Sequence, residues 1–159
     1  MKKIKILPLI VSLSVCFSAA IIGSFFTSEA IPTWYSTLNK PIFNPPNWVF
    51  GPVWSVLYLM MGVSLYIAWQ KKANKKVKQK GLIFFFSQLF FNTLWSIIFF
   101  GLHSPLLAFL VIIALWILIF LTIKNFLLIS RPASYLLIPY LAWVSFASLF
   151  NFSIVILNR

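Results

Sequence analysis

Five uninterrupted apolar runs, at about residues 6 to 27, 51 to 70, 81 to 101, 105 to 127 and 134 to 157, decide what this chain can become. Crossing about 30 Å of hydrocarbon takes about 20 helical residues. Each run reaches that length, and none carries an interior charge except Lys124, near the end of the fourth. A lipid-embedded backbone has no water to bond to, so a run of this kind spans as a helix. The expected fold is an all-α membrane protein, a five-transmembrane-helix bundle forming one domain over residues 1–159. Composition agrees: 62% of the 159 residues are hydrophobic and 9% charged, more apolar surface than a soluble domain of this size can bury.

The first run begins MKKIK and passes through CFSAA, a pattern that resembles a secretory signal with a small-residue cleavage site. Its apolar span continues through Phe26, longer than a usual signal core, so a retained helix is expected. The GLHSP turn at 101 to 105 joins the third and fourth runs as an antiparallel pair.

Thirteen Lys and Arg stand against one acidic residue, Glu29, for a formal net charge of +12. In a soluble protein that balance would suggest a nucleic-acid partner. Here the charges cluster at the ends of apolar runs, where membrane lipid and topology explain them, and no nucleic-acid partner is expected. With the N-terminus inside, eleven of the thirteen fall on cytoplasmic segments: Lys2, Lys3, Lys5, then Lys71, Lys72, Lys75, Lys76, Lys78, Lys80, then Lys124 and Arg131. Lys40 and Arg159 fall outside, together with the proline-rich loop and the C-terminus. The reading is a multi-pass protein of a bacterial cytoplasmic membrane with a cytoplasmic N-terminus.

One cysteine, Cys16, precludes an internal disulfide and a thiolate zinc site. One histidine, His103, and one carboxylate side chain leave no acid–base pair, no Ser-His-Asp set and no metal cluster. No metal and no required cofactor are expected. The absence of a carboxylate within any span also argues against ion-coupled transport.

Polar side chains inside spans are costly and point to any site. In the third span Gln88, Asn92, Trp95 and Phe99 fall at offsets of four, three and four, on one helical face. Trp54, Tyr58 and Met61 repeat the pattern in the second, and Pro139, Ala142, Trp143, Phe146 and Asn151 cluster in the fifth, where Pro139 is expected to kink the helix. The fourth span is apolar around most of its circumference and reads as peripheral, against lipid or another subunit. Singly, each stripe is explained by amides gluing helices and rings filling space. Together, beneath the rigid loop KPIFNPPNWVFGPVW of residues 40 to 54, they point to a cavity of flat rings and neutral hydrogen-bonding groups, suited to a large planar apolar ligand.

WYSTLNKPIFNPPNWVFGPVWSVLYLMMG at 34 to 62, NTLWSIIFFG at 92 to 101 and PYLAWVSFASLFN at 139 to 151 resemble, in order, the TspO/MBR family. These are the tryptophan-rich sensory proteins and the translocator protein, once called the peripheral benzodiazepine receptor. The resemblance implies a five-helix bundle, often a homodimer, whose pocket opens toward the loop after the first helix and binds porphyrins, such as protoporphyrin IX, and isoquinoline-type ligands. It places Trp34, Tyr35 and Pro46 on the loop side, Trp54 on the second helix, Gln88, Asn92 and Trp95 on the third, and Ala142, Trp143 and Phe146 on the fifth. The proline-rich stretch then resembles a cover over the pocket.

Two functions follow from the resemblance. One is binding of tetrapyrroles in sensing, transport or regulation of porphyrin metabolism. The other is light- and oxygen-dependent porphyrin breakdown, with Trp54 and Trp143 in the catalytic role. Sterol transport is less favoured, because the tyrosine position of the family's sterol motif reads Phe152 and Arg159 lies too far along. Val63, Tyr66 and Lys71 match that loose pattern only in the second helix.

Overall fold

The computed structural model describes residues 5–159. Five of its helices are long and apolar enough to cross a membrane. They are α1 (Ile6–Ala30), α3 (Asn47–Gln70), α4 (Lys75–Ser96), α5 (Pro105–Leu127) and α7 (Ile138–Leu157). Two short helices, α2 (Trp34–Thr37) and α6 (Arg131–Tyr135), sit in the connections. The protein is an all-α, multi-pass integral membrane protein.

Helix boundaries depart from the apolar runs where caps outweigh hydropathy. α3 starts at Asn47, four residues before the apolar run, because extended Pro46 (ψ 140°) turns the chain into it. Pro52 then lies inside α3, in its second turn, and removes one backbone bond. α4 starts at Lys75 rather than 81: Asn74 Oδ1 accepts the Lys76 N–H at 2.9 Å, and the lysines that follow favour helix while keeping their charge outside the apolar layer. The fifth run breaks after α6, and Pro139 falls in the first turn of α7, where a missing N–H costs nothing. Pro139 therefore starts the helix, and the expected kink does not occur. α4 ends in a π-helical turn at Ile97–Gly101, after which His103 takes a positive φ of 52° to reverse the chain into α5.

The helices pack in the order α3, α1, α4, α5, α7, with α6 bridging α5 and α3. Ala108, Ile112, Leu115, Ile119, Thr122 and Phe126 form the buried stripe of α5, at alternating spacings of four and three. The opposite face of α5 is exposed.

Small residues and amides hold the bundle together, as expected where lipid is as apolar as leucine. A Cβ on Gly62 would come within 2.7 Å of Leu13 Cδ2 and 3.1 Å of Leu13 Cα, so α1 and α3 touch backbone to backbone there. Ser96 Oγ donates to the Gly23 carbonyl at 3.0 Å and lies 3.1 Å from Thr27 Oγ1, joining α1 to α4. Ser64 Oγ donates to the Ala133 carbonyl at 2.6 Å, joining α3 to α6. The positive charges of Lys5, the Lys71–Lys80 segment, Lys124 and Arg131 gather at the end of the bundle where α1 and α4 begin and α3 and α5 finish.

Candidate functional site

At the opposite end, α1, α3, α4 and α7 splay around a cavity of about 500 Å³, with Tyr35 of α2 reaching in from above. Three of its walls carry residues of the sequence stripes. α4 contributes Asn92, Trp95 and Phe99, and α7 contributes Trp143, Phe146 and Phe150. α3 adds Trp54 and Tyr58 one helical turn apart. Ring contacts make the lining continuous: Trp95 stacks on Phe99 with centroids 5.5 Å apart, Trp54 meets Tyr58 at 5.7 Å, and Trp143 meets Phe146 at 5.4 Å.

The floor is a hydrogen-bonded relay. Tyr58 donates its phenol O–H to Asn92 Oδ1, and Asn92 Nδ2 donates to the Tyr140 oxygen at 2.8 Å, so one amide ties α3, α4 and α7. Beside it, Trp95 Nε1 donates to Asn151 Oδ1 at 3.0 Å, and Asn151 Nδ2 donates to the Pro105 carbonyl at 2.8 Å. The polar atoms of Asn92 and the indole N–H of Trp95 are therefore engaged within the protein. What these two residues offer a ligand is shape and a ring face.

Four of the expected site residues lie off the cavity wall. Gln88 is 1% exposed, one turn further from the loop than Asn92, and neither atom of its amide has a protein partner. Ala142 is exposed on α7, and the alanine that lines the cavity is Ala147. Pro46 is the exposed N-cap of α3. Trp34 lies against the π turn, stacked on His103 with centroids 4.5 Å apart and edge-on to Phe99 at 5.6 Å.

The wall that the aromatic stripes did not announce is α1. Phe17, Ala20, Ser24, Thr27, Ser28 and Ile31 line it, and the signal for them was small and hydroxyl residues recurring every three or four positions in the first run. Asn47, Trp48 and Phe50, in the first turn of α3, complete the rim.

Residues 36–46 of the loop do not line the cavity; the loop packs against the α7 wall through Phe43 and is fastened at several points. Asn158 Oδ1 accepts the Asn39 N–H at 2.9 Å and Asn158 Nδ2 donates to the Asn39 carbonyl at 2.9 Å, clasping the loop to the end of α7. Phe43 lies edge-on to Phe146 and Phe150, at 6.1 and 6.4 Å. Tyr35 donates to Asn44 Oδ1 at 2.9 Å, and its burial pushes the phenol up to about 12. The wall contains no Asp, Glu, His, Lys or Arg, so it has no group to transfer a proton near neutral pH or to neutralise a buried ion.

A family model, described as TspO/MBR family, matches residues 12–157, and that is nearly the whole chain. The chain belongs to the TspO/MBR family. Among its relatives are the tryptophan-rich protein TspO of Archaeoglobus fulgidus, 46% identical over 153 residues covering 96% of this chain and 98% of the relative. The tryptophan-rich protein TspO of Chlorobaculum tepidum is 44% identical, covering 97% and 98%. The human translocator protein is 35% identical over 136 residues, covering 84% of this chain and 79% of the relative.

Proposed function

We propose that this TspO/MBR protein binds tetrapyrroles such as protoporphyrin IX, or planar ligands like them, in the cavity beneath the loop, in porphyrin sensing, transport or regulation. The observation that carries the reading is the lining: ring faces from three helices around about 500 Å³, a few neutral hydroxyls, and no ionisable group but two tyrosines. Volumes of this order are those of drug-sized and cofactor sites. A flat macrocycle gains stacking and buried area there, while an ion or a sugar would lose hydration without replacement. The reading includes an inward N-terminus and a homodimer.

A second reading is supported by the positions of Trp54 and Trp143, which face the same space from α3 and α7. Neither indole N–H has a hydrogen-bond partner among the described residues, unlike those of Trp95 and Trp116. An excited porphyrin held between them could exchange an electron with either indole, and that electron is regained as dioxygen, the net oxidant, adds to the macrocycle and opens it.

Titration of purified protein with protoporphyrin IX in darkness, followed by absorbance during illumination in air, tests both. Saturable binding is expected, with bleaching lost in Trp54→Phe, Trp143→Phe if the second reading also holds. Absence of saturable binding overturns the assignment.

A further inference from the structure

We infer that the basic end of the bundle is a binding surface for the phosphate headgroup of an anionic phospholipid, built on the short connection between α3 and α4, so that the chain associates with anionic lipid in preference to zwitterionic lipid. This surface is independent of the cavity and of the direction of insertion, because it meets whichever leaflet lies at that end.

The charge there is concentrated and unopposed. Six lysines fall within ten residues, Lys71, Lys72, Lys75, Lys76, Lys78 and Lys80, while the one acidic residue, Glu29, stands in the last turn of α1 at the opposite end of the bundle. Four of the six lie in the first two turns of α4, where the helix dipole disfavours cations and no acidic residue offsets it. Anions from outside the chain relieve both that cost and the mutual repulsion of the lysines.

The cluster is also held in shape. The connection is four residues long, and Lys78 Nζ donates to the Trp69 carbonyl and, at 3.2 Å, to the Lys71 carbonyl, pinning the start of α4 to the end of α3. The Lys5 N–H donates to the Tyr66 hydroxyl at 3.1 Å, which brings the start of α1 beside the last turns of α3. Lys78 is thus engaged by the fold. Lys71, Lys72, Lys75 and Lys76 are exposed, and their ammonium groups have no hydrogen-bond partner among the described residues. A segment already fixed loses little further freedom when an anion docks on it.

A leaflet is what this surface is placed to meet. Trp69, 42% exposed, sits in the last turn of α3, where an indole suits the boundary between hydrocarbon and water. Lys80 Nζ lies 5.9 Å from the centre of the Phe84 ring, a cation set over an aromatic face at the same boundary. A phospholipid can lay its acyl chains beside Trp69 and its phosphate among the four free lysines at once, whereas a soluble anion uses the charge alone. Each lysine near an anionic surface strengthens association about fivefold.

The test reconstitutes the full chain in phosphatidylcholine bilayers and adds phosphatidylglycerol brominated in its acyl chains, which quenches tryptophan on contact. The part of the quenching that is lost in Trp69→Phe reports lipid at the cluster. At low salt, brominated phosphatidylglycerol is expected to associate there about tenfold more strongly than brominated phosphatidylcholine. In about 1 M salt, where the screening length is about 3 Å, the two should agree within about twofold. Lys71→Gln, Lys72→Gln, Lys75→Gln and Lys76→Gln together should abolish the preference at an unchanged thermal midpoint, and Lys71→Arg, Lys72→Arg, Lys75→Arg and Lys76→Arg together should keep it. Equal association of the two lipids at low salt, or a preference that survives the four glutamines, would overturn the site. So would displacement of the brominated phosphatidylglycerol by inorganic phosphate beyond that by chloride at equal ionic strength, since the surface would then read a soluble anion.

Discussion

Asn92 and Gln88 sit four residues apart on the same face of α4, yet they do different things. The amide of Asn92 is shared between two phenols, so Asn92→Leu leaves both buried without their partner. At about 1 to 3 kcal/mol for each orphaned group, a loss of about 2 to 6 kcal/mol is expected, seen as a lower unfolding midpoint in detergent. Gln88 has both amide atoms buried and unpartnered, and it lies off the cavity wall. Gln88→Met keeps the volume and removes the unmet polar atoms, so it is expected to hold or raise the midpoint while protoporphyrin affinity stays unchanged. A weakened affinity in Gln88→Met would instead put that amide in contact with ligand. Helical periodicity could name the face these residues share. It could not give their depth, which depends on where the neighbouring helices pull apart.

At the scale of elements, the contrast between two glycines of α3 is a direct check on the packing. Gly62→Val drives a branched side chain into the Leu13 backbone and should cost about 1 to 3 kcal/mol, measured by thermal unfolding, whereas Gly51→Ala should be neutral. The loop is a second such element. Asn158→Ala removes both clasping bonds to Asn39 and should speed porphyrin release about fivefold with helix content unchanged, as read by stopped-flow fluorescence. Tyr35 adds a pH limit. Its folded pKa lies above the ordinary 10.0 of a phenol, so its contribution to loop closure is full below pH 10 and is lost as pH rises through about 12. Tyr35→Phe should release ligand at a rate without that step. Of these elements the five spans were plain in hydropathy. Their ends were not, because Asn74, Pro46 and Pro139 act through caps that lie outside or at the edge of the apolar runs. The role of α1 was hidden for a related reason: it walls the cavity with alanine, serine and threonine, which look alike whether they pack against a helix or line a cavity.

For the molecule as a whole, the gathering of Lys5, the Lys71–Lys80 segment, Lys124 and Arg131 at one end leads us to expect that end in the cytoplasm. A cysteine placed at Lys76, in the Cys16→Ala background, should be labelled by an impermeant maleimide only after cells are opened. Labelling from outside intact cells would reverse the orientation and move the loop and cavity to the cytoplasmic leaflet. Ala147 faces the cavity from α7. The central claim, that this cavity is where a planar ligand binds, is tested most directly by filling it with Ala147→Trp and titrating protoporphyrin IX against tryptophan fluorescence in darkness. Saturable binding by the native chain and at least a fiftyfold weaker affinity in the filled variant, at an unchanged unfolding midpoint, is the result expected. Equal affinity in the two proteins would contradict it and place the ligand elsewhere on the bundle.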